Sequence, residues 1–352
     1  MTIFLNILLF IFILGVIVAI HEFGHFIFAK IMGVYVYEYA IGMGPRLFSF
    51  KPKNSETVYS IRAVPLGGFC SLAGEDTEFD DGEKVPKDKR LQSKKPWQRF
   101  FIMFMGPGFN FLLTIVIIFL VSIFTNSYET TPIVRNVKID SSIAEAGIED
   151  GDKIIKINDH NIYTYDDIKL VLTLSTNKNK TTFVVEKKDG KQKTYKIAPK
   201  KQKEGKTTRY VYGINTIGEK TTGIGNAVKY TFVKTGYYFR EMFATVGALF
   251  TGKVSVKDLS GPVGIYSIVG KSREKGISNI FLLMAFLSLN IGFLNLLPLP
   301  AFDGGHILFI LIELIRRKPV NPKVENIIHT VGLILLLLLM LYVTINDIFR
   351  LI

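Results

Sequence analysis

His21-Glu22-Phe23-Gly24-His25 closes an almost uninterrupted apolar run that begins near Ile3. Two histidines at i and i+4 share one helical face, close enough to hold one metal ion, with Glu22 beside them as a candidate general base. On a soluble helix such a pattern often marks no more than a solvated polar face. Inside an apolar span, ionisable groups cost at least ~2.5–3.5 kcal/mol each on insertion scales for Asp, Lys or Arg, which favours metal chemistry over structural accident.

The chain has 352 residues, of which 48% are hydrophobic, with a mean hydropathy of +0.29. Its apolar residues gather in a few long blocks, the pattern of a membrane protein that carries a soluble part. The net charge of +13 is scattered over loops and one β-rich region. No basic helix or aromatic RNA-binding motif accompanies it, so the charge is read as membrane topology and nucleic acid is not expected as a partner. One cysteine, Cys70, excludes an intramolecular disulfide and a thiolate cluster. Any zinc must then be held by histidine and carboxylate.

The first segment, residues 1–30, is expected to be an uncleaved span with its N-terminus outside. No Lys or Arg precedes it, and Lys30 is the first positive charge. At 1.5 Å per residue His21 lies about 27 Å along this helix, within a hydrocarbon core of about 30 Å and in its cytosolic half. Residues 31–96 carry ten Lys and Arg, from Arg46 to Lys95, which places this loop in the cytosol. Val34 to Tyr37 and Tyr59 to Val64 are rich in β-formers, while Gly42-Met43-Gly44-Pro45 and Pro65-Leu66-Gly67-Gly68 break them, so a membrane-associated β-hairpin is expected. Two readings of it stand: a sheet edge that pairs with an extended substrate, or a plain cap over the helices. Glu75 to Arg90 reads as a flexible surface segment.

Residues 97–125 form the second span, with Trp97 and Arg99 at the interface and Asn110 as an intramembrane polar group read as packing the helices, with a catalytic role as the alternative. The composition from 126 to 220 is that of a soluble domain. Ile133 to Ile139 and Lys153 to Asn158 alternate as strands, Tyr165 to Leu174 reads as a helix, and Thr181 to Glu186 and Thr194 to Ala198 as further strands. His160 reads as a solvated surface residue. Residues 221–277 give an amphipathic membrane-surface segment, since Lys229, Lys234, Arg240 and Glu241 interrupt the apolar run at 225–250.

The third span, 278–317, is too long for one unbroken crossing and carries Asn295-Leu296-Leu297-Pro298-Leu299-Pro300-Ala301-Phe302-Asp303-Gly304-Gly305 at its middle. Irregular backbone at membrane depth is tolerated only where protein or a cavity surrounds it. Asp303 stands in that opening at a depth comparable to His21 and His25. It is a candidate third metal ligand or, on the other reading, a cap for the half-helix opening at Gly304. His306 reads as a residue that supports the ligands from behind or as a packed neutral histidine, and His329, near the start of the fourth span at 327–350, as a helix-packing or interface residue. The fold class expected is a polytopic α-helical membrane protein of four spans, with a cytosolic β-hairpin and an inserted extracytoplasmic α+β domain.

Taken together, HEFGH at 21–25, IGMGP at 41–45, PLGGF at 65–69, GPGFN at 106–110, GPVGI at 261–265, NLLPLPAFDGGH at 295–306 and NDIFR at 346–350 resemble the bacterial site-2 proteases, intramembrane zinc metalloproteases of the sigma-factor-regulating type. Residues 141–155 likewise resemble the core of a circularly permuted bacterial PDZ domain, with Tyr210 to Ile214 as the strand carrying its peptide-carboxylate loop. The resemblance implies one zinc ion held by His21, His25 and Asp303, with Glu22 as general base. It implies Asn295 and the glycine segments at Gly42, Gly44, Gly67 and Gly68 as substrate-binding groups. The expected substrates are single-span membrane proteins such as anti-sigma factors, with remnant signal peptides as a second class, and the PDZ-like domain binding peptide termini or filtering substrates. The expected site of action is the bacterial cytoplasmic membrane. Phe302 and Met43 stand where the family has Leu and Phe, and one PDZ-like domain stands where many relatives have two. A metal transporter and a silent PDZ scaffold are the competing classes; the first gives no reason for Glu22, and the second none for the intramembrane ionisable groups.

Overall fold

The computed structural model describes residues 2–75, 85–125, 127–175, 180–204, 207–214 and 218–351. Most of the surface segment expected at 75–90 lies outside the described residues, as does residue 126, where the inserted domain is expected to begin. In chain order the principal elements are α1 (Thr2–Ile31), β1 (Val36–Phe50), β2 (Val58–Leu72), α2 (Pro96–Phe124), β3 (Ser127–Tyr128), α3 (Ser142–Glu145), β4 (Lys153–Ile157), β5 (His160–Asn161), α4 (Tyr165–Leu174), β6 (Thr181–Glu186), β7 (Gln192–Ile197), β8 (Lys200–Glu204), β9 (Thr207–Val211), β10 (Lys220–Thr221), α5 (Ile224–Phe250), α6 (Pro262–Glu274), α7 (Ile277–Leu296), α8 (Asp303–Arg316) and α9 (Pro322–Leu351). They divide into two compact units, Met1–Ile118 with Lys257–Ile352, and Phe119–Val256.

In the first unit four helices are long and apolar enough to cross a membrane, Ile3–Ile31, Pro96–Phe124, Ile277–Leu296 and Lys323–Arg350, the second of them running on into the other unit. Their close approaches are made by small residues. A Cβ on Gly24 of α1 would overlap the Met105 carbonyl of α2, and one on Gly292 of α7 would lie 3.0 Å from the Pro107 carbonyl and from Asn110. Lipid supplies no hydrophobic drive between helices, so such close packing and interhelical hydrogen bonds set the arrangement. Thr114 Oγ1 accordingly donates to the Ala285 carbonyl at 2.9 Å, and Ser288 Oγ to the Asn110 carbonyl at 2.9 Å.

The expected hairpin is present in a more involved form. The first half of β1 lies between two stretches of β2: Tyr39 pairs with both Cys70 and Tyr59, and Ile41 with both Gly68 and Ile61, while Phe48 to Phe50 pair back onto Ile61 to Tyr59. Gly42, Gly44 and Gly67 adopt φ of +89°, +81° and +90° at the bends, a region that favours glycine. Tyr39 Oη donates to the Ala19 carbonyl at 2.8 Å and fastens the sheet to α1. Glu38, buried inside it, accepts hydrogen bonds from Arg46, Ser60 and Arg62 and so links three lanes of backbone.

In the second unit the sheet order is β5-β4-β6-β7, with β8-β9 and β3-β10 as separate pairs. Ile143, Ile154, Ile157, Ile168, Phe183 and Val185 form its core. The strand expected at 133–139 is not formed. Only Ile133 bridges to Lys153, and Asn136, at φ 53°, turns the backbone away despite the alternating pattern. The expected strand at 210–214 ends at Val211; Tyr212 instead turns into the core and its hydroxyl bonds Thr181 Oγ1 at 2.6 Å. The expected helix at 225–250 is α5, tied to the start of α4 by Lys234 with Asp166 and Arg240 with Asp167. Thr164 and Asp167 complete a capping box there.

Burial alone would raise the Glu38 carboxyl, but its hydrogen bonds from Arg46, Ser60 and Arg62 outweigh that and hold it below its ordinary value of 4.5. A depressed carboxylate contributes stability that is present above its unfolded value and lost as pH falls through the folded one. Acidification below about pH 4.5 is therefore expected to loosen the β1–β2 sheet, read by amide hydrogen exchange. Glu38→Gln, which cannot carry the charge, is expected to exchange faster at neutral pH and to lose this acid dependence.

Candidate metal centre

The two histidines of HEFGH project from α1 one turn apart, with ring centroids 4.8 Å apart. Asp303 reaches them from the first residue of α8. Its Oδ2 lies 3.2 Å from His21 Nε2 and its Oδ1 3.4 Å from His25 Nε2, and the two Nε2 atoms are 3.2 Å apart. Tetrahedral zinc with bonds of about 2.0–2.1 Å separates its ligand atoms by about 3.3 Å. The donor set therefore fits the ion in type and spacing. The buried Asp303 Oδ2 is also without a hydrogen-bond partner among the described residues, although it faces His21 at close range, as expected of atoms that converge on a shared point.

The second ring nitrogens are held by α2. His25 Nδ1 donates to the Ile102 carbonyl at 2.9 Å, and Asn110 Nδ2 lies 3.2 Å from His21 Nδ1. A histidine that ligates through Nε2 carries its proton on Nδ1. Turning the Asn110 amide over offers that proton the carboxamide oxygen, which otherwise has no partner among the described residues. Asn110 thus touches His21 as well as packing the helices, a role that its assignment to helix packing did not include. The signal was present: Gly106 and Asn110 repeat the i, i+4 spacing of His25 and His21 in the opposite direction. A Cβ on Gly106 would overlap the His25 ring.

A cleft of about 500 Å³ opens on the three donors, lined by Val18, Glu22, Phe69, Cys70, Ser71 and Asn295 among others. Glu22 and Asn295 are thus brought to the same cavity as the histidines. Gly68 packs against Glu22, since a Cβ there would lie 3.5 Å from Glu22 Cγ. Gly42, Gly44 and Gly67 are not among the residues lining this cleft; they shape the bends of the sheet whose Phe69 to Leu72 stretch forms its wall. His306 is not a donor to the centre. Its ring stacks on His329 at 4.0 Å, and its Nδ1 lies 3.3 Å from Glu325.

This geometry, with its two histidines on a helix apolar enough to span a bilayer and three further such helices in the chain, is that of a metal-dependent hydrolase built into a multi-pass membrane protein. The family model for peptidase family M50 matches residues 9–339, and the chain belongs to that family, the site-2 proteases. It is similar to the zinc metalloprotease RasP of Bacillus licheniformis, 33% identical over 421 residues covering 98% of this chain and 99% of the relative. It is similar also to the regulator of sigma-W protease RasP of Bacillus subtilis, at 33% over 422 residues with the same coverage. The chain is a zinc metalloendopeptidase.

Gly106→Ala is expected to push the His25 ring off its position and lower zinc affinity by ~10-fold or more, the scale seen when a residue that supports a metal ligand is disturbed. Zinc retained against a chelator by the purified protein measures it, with an alanine at the lipid-exposed Val116 position as control.

Proposed function

We propose that this enzyme cleaves the transmembrane segments of single-span proteins within the cytosolic half of the bilayer, with zinc held by His21, His25 and Asp303. The observation that carries the reading is the meeting of three metal-ligand donors and Glu22 at one cleft, two donors from a continuous apolar helix and the third from a broken one. His21, His25 and Asp303 would hold the zinc, which would supply Lewis acidity for hydrolysis of the peptide bond. Glu22 takes the proton of the attacking water and delivers it to the leaving amide nitrogen. Asn295 offers its carboxamide to the backbone of the substrate. Because a helical substrate keeps its carbonyls in hydrogen bonds, it must be unwound before attack. The β-sheet wall beside Gly67 and Gly68, with its bend at Gly42 and Gly44, presents strand geometry suited to holding it extended.

The relative from Bacillus subtilis is named a regulator of sigma-W protease, which supports anti-sigma factors as the first substrate class, followed by remnant signal peptides. The positive charges of the loop at 31–96 favour a cytosolic position for it, with both termini and the domain at 126–220 outside the cell. On this reading the domain is PDZ-like and screens substrates or binds peptide termini, and the segment at 221–277 lies on the outer membrane surface.

Replacing Glu22 by Gln, with a tagged single-span reporter followed in membranes and zinc measured in parallel, is the test. The expected outcome is retained zinc with cleavage reduced by at least ~10²-fold, the scale of a lost general base. Cleavage at the unsubstituted rate with zinc retained removes Glu22 from the mechanism.

A further inference from the structure

Asp303 can meet the histidines only because the third span stops at Leu296 and restarts at Asp303. Residues 297–302 between them leave helical geometry, and every backbone N–H there needs a partner, because lipid offers none. Pro298 and Pro300 have no N–H to satisfy. Leu297 donates to the Leu294 carbonyl, Leu299 to Leu297 and Phe302 to Leu299. The remaining donor is Ala301, which sits at φ +72°, a left-handed conformation that is strained for a residue with a Cβ. Its N–H donates to Nδ1 of His329, on α9, at 3.1 Å.

The surroundings of that bond are shaped to receive the turn. A Cβ on Gly332, one helical turn beyond His329, would overlap Pro300, and a Cβ on Gly305 would lie 3.1 Å from His329 Cε1. The His306 ring stacks on that of His329 with an interplanar angle of 15° and is itself engaged by Glu325. His306, Glu325 and His329 bring possible metal donors within 4.8 Å of one another. They do not read as a second metal centre. A ring that accepts at Nδ1 carries its proton on Nε2, so His329 has no second lone pair for a cation, and the in-plane lone pairs of stacked rings run side by side rather than converge.

We propose that His329 is a positioning residue for the metal centre: by accepting the Ala301 N–H it holds the break in the third span in the one conformation that aims Asp303 at His21 and His25. The fourth span is thereby part of the zinc site without touching the ion. The proposal rests on Asp303 being a zinc ligand, as the proposed function has it.

The test is the zinc affinity of the purified full-length protein in detergent, by competition with a chelator, with melting temperature recorded for each variant. Asp303→Ala sets the reference for a lost ligand; if it binds zinc as tightly as the unsubstituted chain, the ligand assignment itself fails. With that reference in place, His329→Leu is expected to weaken zinc binding by ~10- to 100-fold. The deciding pair is His329→Asn and His329→Gln. The Asn carboxamide places an acceptor where Nδ1 stands and Gln places one where Nε2 stands, so Asn is expected to keep zinc within ~3-fold and Gln to lose at least ~10-fold. Unchanged affinity in His329→Leu overturns the proposal. Equal behaviour of Asn and Gln, whether both keep the metal or both lose it, overturns it as well, because the position of the acceptor would then not matter.

Discussion

His21 and His25 stand on the first helix and Asp303 is 278 residues beyond His25, and much of the first unit's structure follows from bringing that carboxylate to within 3.4 Å of two rings. A carboxylate on the side of an intact apolar helix would carry the cost of burial with no preference for the position of its neighbours. Placed at the first turn of a helix that begins inside the protein, it sits at the positive end of the helix dipole. The backbone just before it can also bend to meet the histidines. Gly304 is needed at this point, since a Cβ there would overlap the Leu297 carbonyl of the preceding turn.

The same requirement for close approach runs through the neighbouring helices. α2 touches the metal centre with Gly106 and its one asparagine, and Gly106 is small because the His25 imidazole occupies the space a Cβ would take there. The proline at 107 has a second effect. It removes an N–H from the ladder and leaves a carbonyl at 103 without its helical donor, in a helix where neighbouring helices must make up such losses. GPGFN thus combines space for His25 and an amide for His21 with a proline that interrupts the hydrogen-bond ladder of the helix.

His21, Glu22, His25 and Asp303 were legible in the sequence because each is an expensive group in an apolar block, and the break around Asp303 was legible because two prolines and two glycines cannot continue a span. Their partners were less legible for a physical reason. Asn110 and His329 look like ordinary packing residues until it is known which helix faces which, and that depends on residues meeting across tens to hundreds of positions of sequence. The interleaving of β1 and β2 was hidden in the same way, since alternation reports which face a residue takes and says nothing of which lane lies next to it. At 133–139 alternation itself misled: Val134 is buried, and its amide bonds the Asp152 carbonyl in the one bridge between Ile133 and Lys153, which does not extend into a ladder.

GPVGI and NDIFR, separated by some eighty residues, resolve into a single feature. Asp347, buried on α9, accepts the N–H of Gly264 at 2.8 Å and so caps α6 from another helix, in place of the side-chain cap that Gly261 cannot supply. Gly261 and Gly264 leave room for that carboxylate, at 3.0 and 3.1 Å from where their Cβ atoms would stand. Asn346 donates to the Lys257 carbonyl beside it, and Arg350 pairs with Asp258. The fourth span is otherwise exposed along most of its length. It is therefore held by polar interactions near its two ends, His329 at one, beside the close approach of Gly332 to Pro300, and Asp347 at the other, rather than by broad apolar burial. In lipid this is the physically effective choice. An apolar face gains no hydrophobic drive by exchanging a lipid neighbour for a helix, whereas an unpaired N–H at the break in the third span or at the start of α6 has only protein to turn to.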